Sequence, residues 1–238
     1  MPPNKSMSQQ PRTALLLIDI QEGFLEPTFS HWGPSRSNPA FEKNANSLIK
    51  QYRELSAKSS RHKIFHVQHS SIPSRWPSSP LRPTEAGKLY MDPLLRPELT
   101  PTVGFKFQSF ATPKDGERVI VKHVNSGFIG TNLEEVLREH FAGTPGKLFI
   151  AGLTTDHCVS TTTRMAGNLG VCDSPDGEKG EVILIGDATA AWAKGEGEEW
   201  ANAEMVHKVH IQSLHDEFAA VKRTEDVNEL WRVWVSED

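Results

Sequence analysis

Short apolar runs recur along the chain with helical patterns between them: residues 13–20 (TALLLIDI), 63–68 (KIFHVQ), 118–123 (RVIVKH), 148–151 (LFIA) and 181–186 (EVILIG). A continuous aliphatic run suits a strand buried on both faces of a parallel sheet. The intervals repeat at helical spacing. Ala45, Leu48, Ile49, Tyr52 and Leu55 form one stripe, and Leu133, Val136, Leu137 and Phe141 form another behind a Thr131–Glu134 capping-box pattern. A third helix is expected from about 198 to 218, with Ala203, Val206, His210, Leu214 and Phe218 on one face. A short strand at 219–222 and a helix opened by Thr224 complete the series. Parallel strands need crossovers, which are right-handed and stack helices on both faces of the sheet. The expected fold class is α/β, a three-layer α/β/α sandwich around a six-stranded, mostly parallel sheet. One domain at 13–238 behind a disordered leader at 1–12 is expected from a chain of this length with 37% hydrophobic residues.

A net charge of −4 and a pI near 6.2 supply no basic field for nucleic acid or an anionic membrane. No stretch approaches the ~18 apolar residues of a membrane span. A small molecule is therefore the expected partner. The leader MPPNKSMSQQPR lacks the apolar core of a secretion signal, and two cysteines make no disulfide framework, so a cytoplasmic location is expected.

Polar residues at the ends of the apolar runs carry the chemistry. Asp19 closes the first run, where a carboxylate is costly unless paired or functional. In open parallel sheets the carboxyl ends of the strands are where ligands bind. Lys122 sits near the end of the third run. Cys158 follows the fourth, in the first turn of a helix. A helix start lowers a thiol pKa and offers N–H donors to an oxyanion, although a buried cysteine is also an ordinary core residue. With strands one and four flanking the switch point, all three side chains converge on one crevice. His66 and His69 lie three apart, so on one strand they point to opposite faces and cannot share an ion. His207 and His210 read as helix packing, Cys172 as incidental, and Gly195-Glu196-Gly197 as no phosphate cradle.

The three motifs LLLIDIQEGF, VIVKHVNSGFIGTNLEEVL and AGLTTDHCVSTTTRMAGNLG resemble, in order and spacing, those of the isochorismatase-like cysteine hydrolases, from about residue 13 to 221. The resemblance implies an Asp19–Lys122–Cys158 triad: Cys158 as nucleophile, Asp19 as general base and Lys122 as the cation that keeps the pair ionised. It also implies a non-proline cis peptide at Leu153-Thr154, with the backbone N–H groups of Thr154 and Cys158 as an oxyanion hole. The reaction implied is hydrolysis of a small-molecule amide C–N bond, or of a vinyl ether as in isochorismatase itself; a non-catalytic binding protein is the alternative of a different class. The metal-binding Asp-x-His of the nicotinamidase branch is absent from HVQHSSIPSRW, so neither metal nor cofactor is expected. Family members are commonly dimers or tetramers, which makes a homodimer or homotetramer the expected assembly. Phe24, Trp32, Trp76 and Phe128 on the loops and His69 at the end of strand two are the candidate substrate contacts. The loops at 24–39 and 72–112 carry specificity, and their composition does not name the substrate.

Overall fold

The computed structural model describes residues 10–90, 98–195 and 201–237. Its sheet has six strands, all parallel, in the order β3-β2-β1-β4-β5-β6. They are β1 (Arg12–Ile18), β2 (His62–His69), β3 (Arg118–Lys122), β4 (Gly146–Leu153), β5 (Glu181–Ala190) and β6 (Ala220–Lys222). The helices are α1 (Phe41–Lys58), α2 (Leu133–Phe141), α3 (Ser160–Leu169), α4 (Ala203–Leu214) and α5 (Thr224–Glu237).

Strand alternation explains the three layers. Leu15 and Leu17 of β1, Phe149 and Ala151 of β4, and Ile183 and Ile185 of β5 enter the core cluster that holds α1 and α5. Their neighbours Leu16, Ile18, Leu148, Ile150 and Leu184 enter the other cluster, with α2 and α3. Both faces of each strand are therefore apolar, as the continuous runs require. No described helix is long and apolar enough to cross a membrane.

Three expectations shift. Thr131 does not make the capping box: its hydroxyl donates to the Gly127 carbonyl at 2.5 Å, so α2 starts two residues later behind Asn132. Helix α4 starts at Ala203, where Asn202 caps it by accepting the Met205 N–H at 2.8 Å, and it ends at Leu214, four residues short of Phe218 at the end of its expected stripe. The expected start at 198–200 lies outside the described residues, as do residues 1–9 of the leader. Strand β5 runs four residues past the apolar core EVILIG.

Candidate active site

Four neighbouring strands deliver the floor of the site. Asp19 directly follows β1 and takes a left-handed backbone conformation, φ 50°, that turns the chain out of the sheet. Opposite Ile18 in β4, Gly152 has φ 131°, and a Cβ there would fall 2.0 Å from the Ile18 carbonyl oxygen. Only glycine lets the two central strands approach so closely at this end. Lys122 ends β3 in register with His69 of β2. After β4, across a cis Leu153-Thr154 peptide, a single π turn (Thr155–Val159) carries Cys158 into α3. The cis bond stands where the family resemblance put it.

Lys122 Nζ is the hub. It donates to Asp19 Oδ2 at 2.6 Å, to Cys158 Sγ at 3.2 Å, and to His69 Nδ1 at 2.9 Å. An ammonium has three donors and no acceptor, so this set uses all of it and leaves the His69 proton on Nε2. Asp19 and Lys122 are almost wholly buried. Asp19 Oδ1 accepts no hydrogen bond of good geometry, with the Cys158 thiol and the His69 backbone close by. The Cys158 thiol faces Asn125 Oδ1 at 3.9 Å.

Burial governs the charges. It raises the pKa of Asp19 against the pull of Lys122. For Lys122 burial acts downward, but Asp19 and Cys158 outweigh it and hold the ammonium charged. Cys158 is pushed up to about 12, by burial first, with Lys122 opposing and Asp19 adding to the rise. The helix start and lysine thus do not make a resting thiolate, contrary to the sequence expectation: desolvation wins. His69 is lowered to about 2 by burial and then by Lys122, so it stays neutral.

Asp19, His69 and Cys158 bring an oxygen, a ring nitrogen and a sulfur within 4.8 Å of one another, a donor set that would suit a metal such as zinc. Their shared centre is taken by the Lys122 ammonium, which bonds all three.

Above this floor lies a cavity of about 350 Å³ onto which Cys158, Thr154 and His69 open. Phe24 and Trp32 stack at 4.6 Å on one side, and Trp76 packs edge-on to His69 at 6.3 Å on another. Phe128 is not in the lining; it is buried with Leu133, Val136 and Val159, since its loop folds under α2 and α3. Sequence reasoning missed Asn125, His31, His157 and the serines 71, 78 and 79, which also line the cavity. Asn125 carried a signal, three residues past Lys122 in the same motif. Gln21 was missed too: its side chain accepts the His69 N–H at 2.9 Å and donates to the His69 carbonyl at 3.1 Å and the Phe105 carbonyl at 2.8 Å.

Comparison with known proteins gives this arrangement a family. The family model described as an isochorismatase domain matches residues 13–226. The chain belongs to the isochorismatase family. The isochorismatase family protein YrdC of Bacillus subtilis (strain 168) is 34% identical over 217 residues, covering 91% of this chain and 94% of that protein. The secreted isochorismatase effector Isc1 of Verticillium dahliae is 27% identical over 232 residues, covering 96% and 95%. A crystal structure of a protein assigned to the isochorismatase hydrolase family, from Chromobacterium violaceum, superposes with a TM-score of 0.71 at 29% identity, covering 98% of this chain and 100% of that one. A cysteine hydrolase from Pseudomonas syringae pv. phaseolicola shares the fold, with a TM-score of 0.66 at 19% identity over 94% of this chain and 93% of that one. This isochorismatase-family chain is accordingly a hydrolase, and its Asp19, Lys122 and Cys158 lie together as a triad would.

Proposed function

We propose that the protein is a cysteine hydrolase that cleaves the C–N bond of a small amide through a thioester on Cys158. The observation that carries this reading is Lys122 Nζ bridging Asp19 Oδ2 and Cys158 Sγ at 2.6 and 3.2 Å beneath a cavity. The thiol proton passes to Asp19, whose raised pKa suits it to hold one. Sulfur then attacks the carbonyl carbon while the Lys122 ammonium offsets the charge on sulfur. The backbone N–H groups of Thr154 and Cys158 receive the oxyanion, a role in which each such donor is worth ~2.7–4 kcal/mol. Collapse breaks the C–N bond as Asp19 returns its proton to the departing nitrogen. Water, deprotonated by Asp19, attacks the thioester, the C–S bond breaks, and the proton goes back to sulfur.

A screen of carboxamides for ammonia release tests the reading. Wild type is expected to turn over at least one of them, hydroxylamine to divert the acyl group to a hydroxamate, and Cys158→Ala to do neither. A second reading is favoured by the raised pKa of Asp19 and its unbonded Oδ1: Asp19 acts as an acid that protonates a vinyl ether, with no covalent use of sulfur. Full turnover of a vinyl ether by Cys158→Ala would establish it over the amidase.

A further inference from the structure

We infer that the site takes an uncharged substrate with a flat apolar group, because the one cation of its floor has no donor left for an anion and, among the described residues, its walls supply no charge. The inference rests on the hydrolase reading above and narrows it. All three Lys122 donors already have partners, in Asp19, His69 and Cys158. A substrate carboxylate could reach Lys122 only by displacing one of them, and would then lie beside the Asp19 carboxylate. Among the described residues, no lysine, arginine, aspartate or glutamate lines the cavity.

The polar groups that do line it are uncharged. Three serines and Asn125 are neutral by nature. His69 is neutral because Lys122 occupies its Nδ1, which leaves Nε2–H as a donor on a ring that lines the cavity. Burial lowers the pKa of His31 and, against Asp156, of His157. Cations nearby are held elsewhere: Lys194 Nζ lies 3.1 Å from Asp156 Oδ2, and Arg75 lies across the Trp76 ring at 4.6 Å, outside the lining. A carboxylate stripped of water here would gain no counter-charge, whereas an amide loses far less and finds the His69 donor. The stacked Phe24–Trp32 pair and Trp76 give the remaining surface to a flat apolar group.

Iodoacetamide and iodoacetate test the charge rule, since the two reagents match in size and differ in charge. Each transfers its CH₂ group to sulfur, forming the C–S bond as the C–I bond breaks and iodide leaves. Rates at Cys158 are read by peptide mass spectrometry at one alkaline pH, in the folded protein and in urea as reference. The preference for iodoacetamide is expected to exceed that of the unfolded chain by ~10-fold or more, the equivalent of an uncompensated charge. Ser78→Lys, which places a cation in the lining, is expected to shrink that preference, and Arg75→Ala to leave it unchanged. A preference no greater than in urea overturns the inference; so does a rise on Arg75→Ala, which would make Arg75 an anion subsite. Binding of benzamide and benzoate to Cys158→Ala, followed by tryptophan fluorescence, is expected to favour benzamide, and benzoate binding as tightly or more tightly overturns it. Alkylation needs no turnover, so a protein that hydrolyses no amide would defeat the amidase reading while leaving this result standing.

Discussion

Two regions of the molecule each bury a free cysteine, and both thiols are pushed up to about 12 with burial as the first cause. Around Cys158 stand Lys122, which pulls the value down, and Asp19, each borne on a different strand. Around Cys172 the next influences are the Asp173 carboxylate, which raises it, then the Leu148 backbone and a weaker Arg138, which lower it. Resting acidity does not separate the two sulfurs. What separates them is a proton acceptor and a fixed cation beside one, together with an opening to a cavity. On the proposed reaction Asp19 takes the thiol proton at the moment of attack, so Cys158 need not rest as a thiolate.

Removing each thiol should break the symmetry most. Cys158→Ala is expected to lower hydrolysis by at least ~10³-fold. Cys172→Ala should stay within about twofold in the same ammonia-release assay, since that residue only fills a core position. Lys122→Met comes next: turnover should fall ~100-fold or more, and the pH profile of Cys158 alkylation should move to higher pH, away from that of Cys172, because the cation that lowers the Cys158 pKa is gone. It also strands Asp19 without its buried partner, so urea denaturation should show a loss of roughly 3–5 kcal/mol. Gly152→Ala attacks the backbone that sets the Cys158 region apart. Its Cβ would meet the Ile18 carbonyl at 2.0 Å, and the expected loss is about 1–3 kcal/mol with a fall in activity.

The smallest effect is expected away from both cysteines. Burial would raise the pKa of Glu117, but hydrogen bonds from Arg53 and His66 outweigh it and hold the carboxyl down at about 2. A carboxyl lowered on folding stabilises above its unfolded value, and that contribution drains away as pH falls from about 4.5 toward 2. Glu117→Gln should therefore cost about 1–2 kcal/mol at neutral pH, after discounting for its partial exposure, and the difference should vanish in strong acid. Thermal melts at both pH values check it, with the alkylation rates of both cysteines unchanged.

Much of this was legible in the sequence for a simple reason. Residues 13–20 and 148–151 are apolar on both faces, which only a covered parallel sheet satisfies, and polar residues at the ends of such runs stand out. Asp19, Lys122 and Cys158 were visible on that ground, and the family resemblance tied them together. The pKa of Cys158 was not legible, because the balance between Lys122 and burial depends on how completely the fold excludes water. Phe128 looked like a loop aromatic free to meet substrate; the packing of its loop against α2 and α3 is a property of three segments at once. The cavity serines and histidines sit on irregular loops, where no period assigns a direction to a side chain. Gln21 gave no signal at all, since its partners lie 48 and 84 residues away.

That glutamine carries an amide on its side chain, the same group from which strands are knitted. By accepting from and donating to the backbone of His69, it imitates the next peptide of β1 after the real chain has turned away at Asp19. The side chain acts as a prosthetic rung, and β2 stays laced one residue beyond the point where its natural neighbour departs. His69, and through it the third hydrogen of Lys122, is thereby hung from a truss instead of a loose strand end. A machine braced in this way keeps its tool in position between jobs, so the cost of assembling the site falls on folding and not on each encounter with substrate.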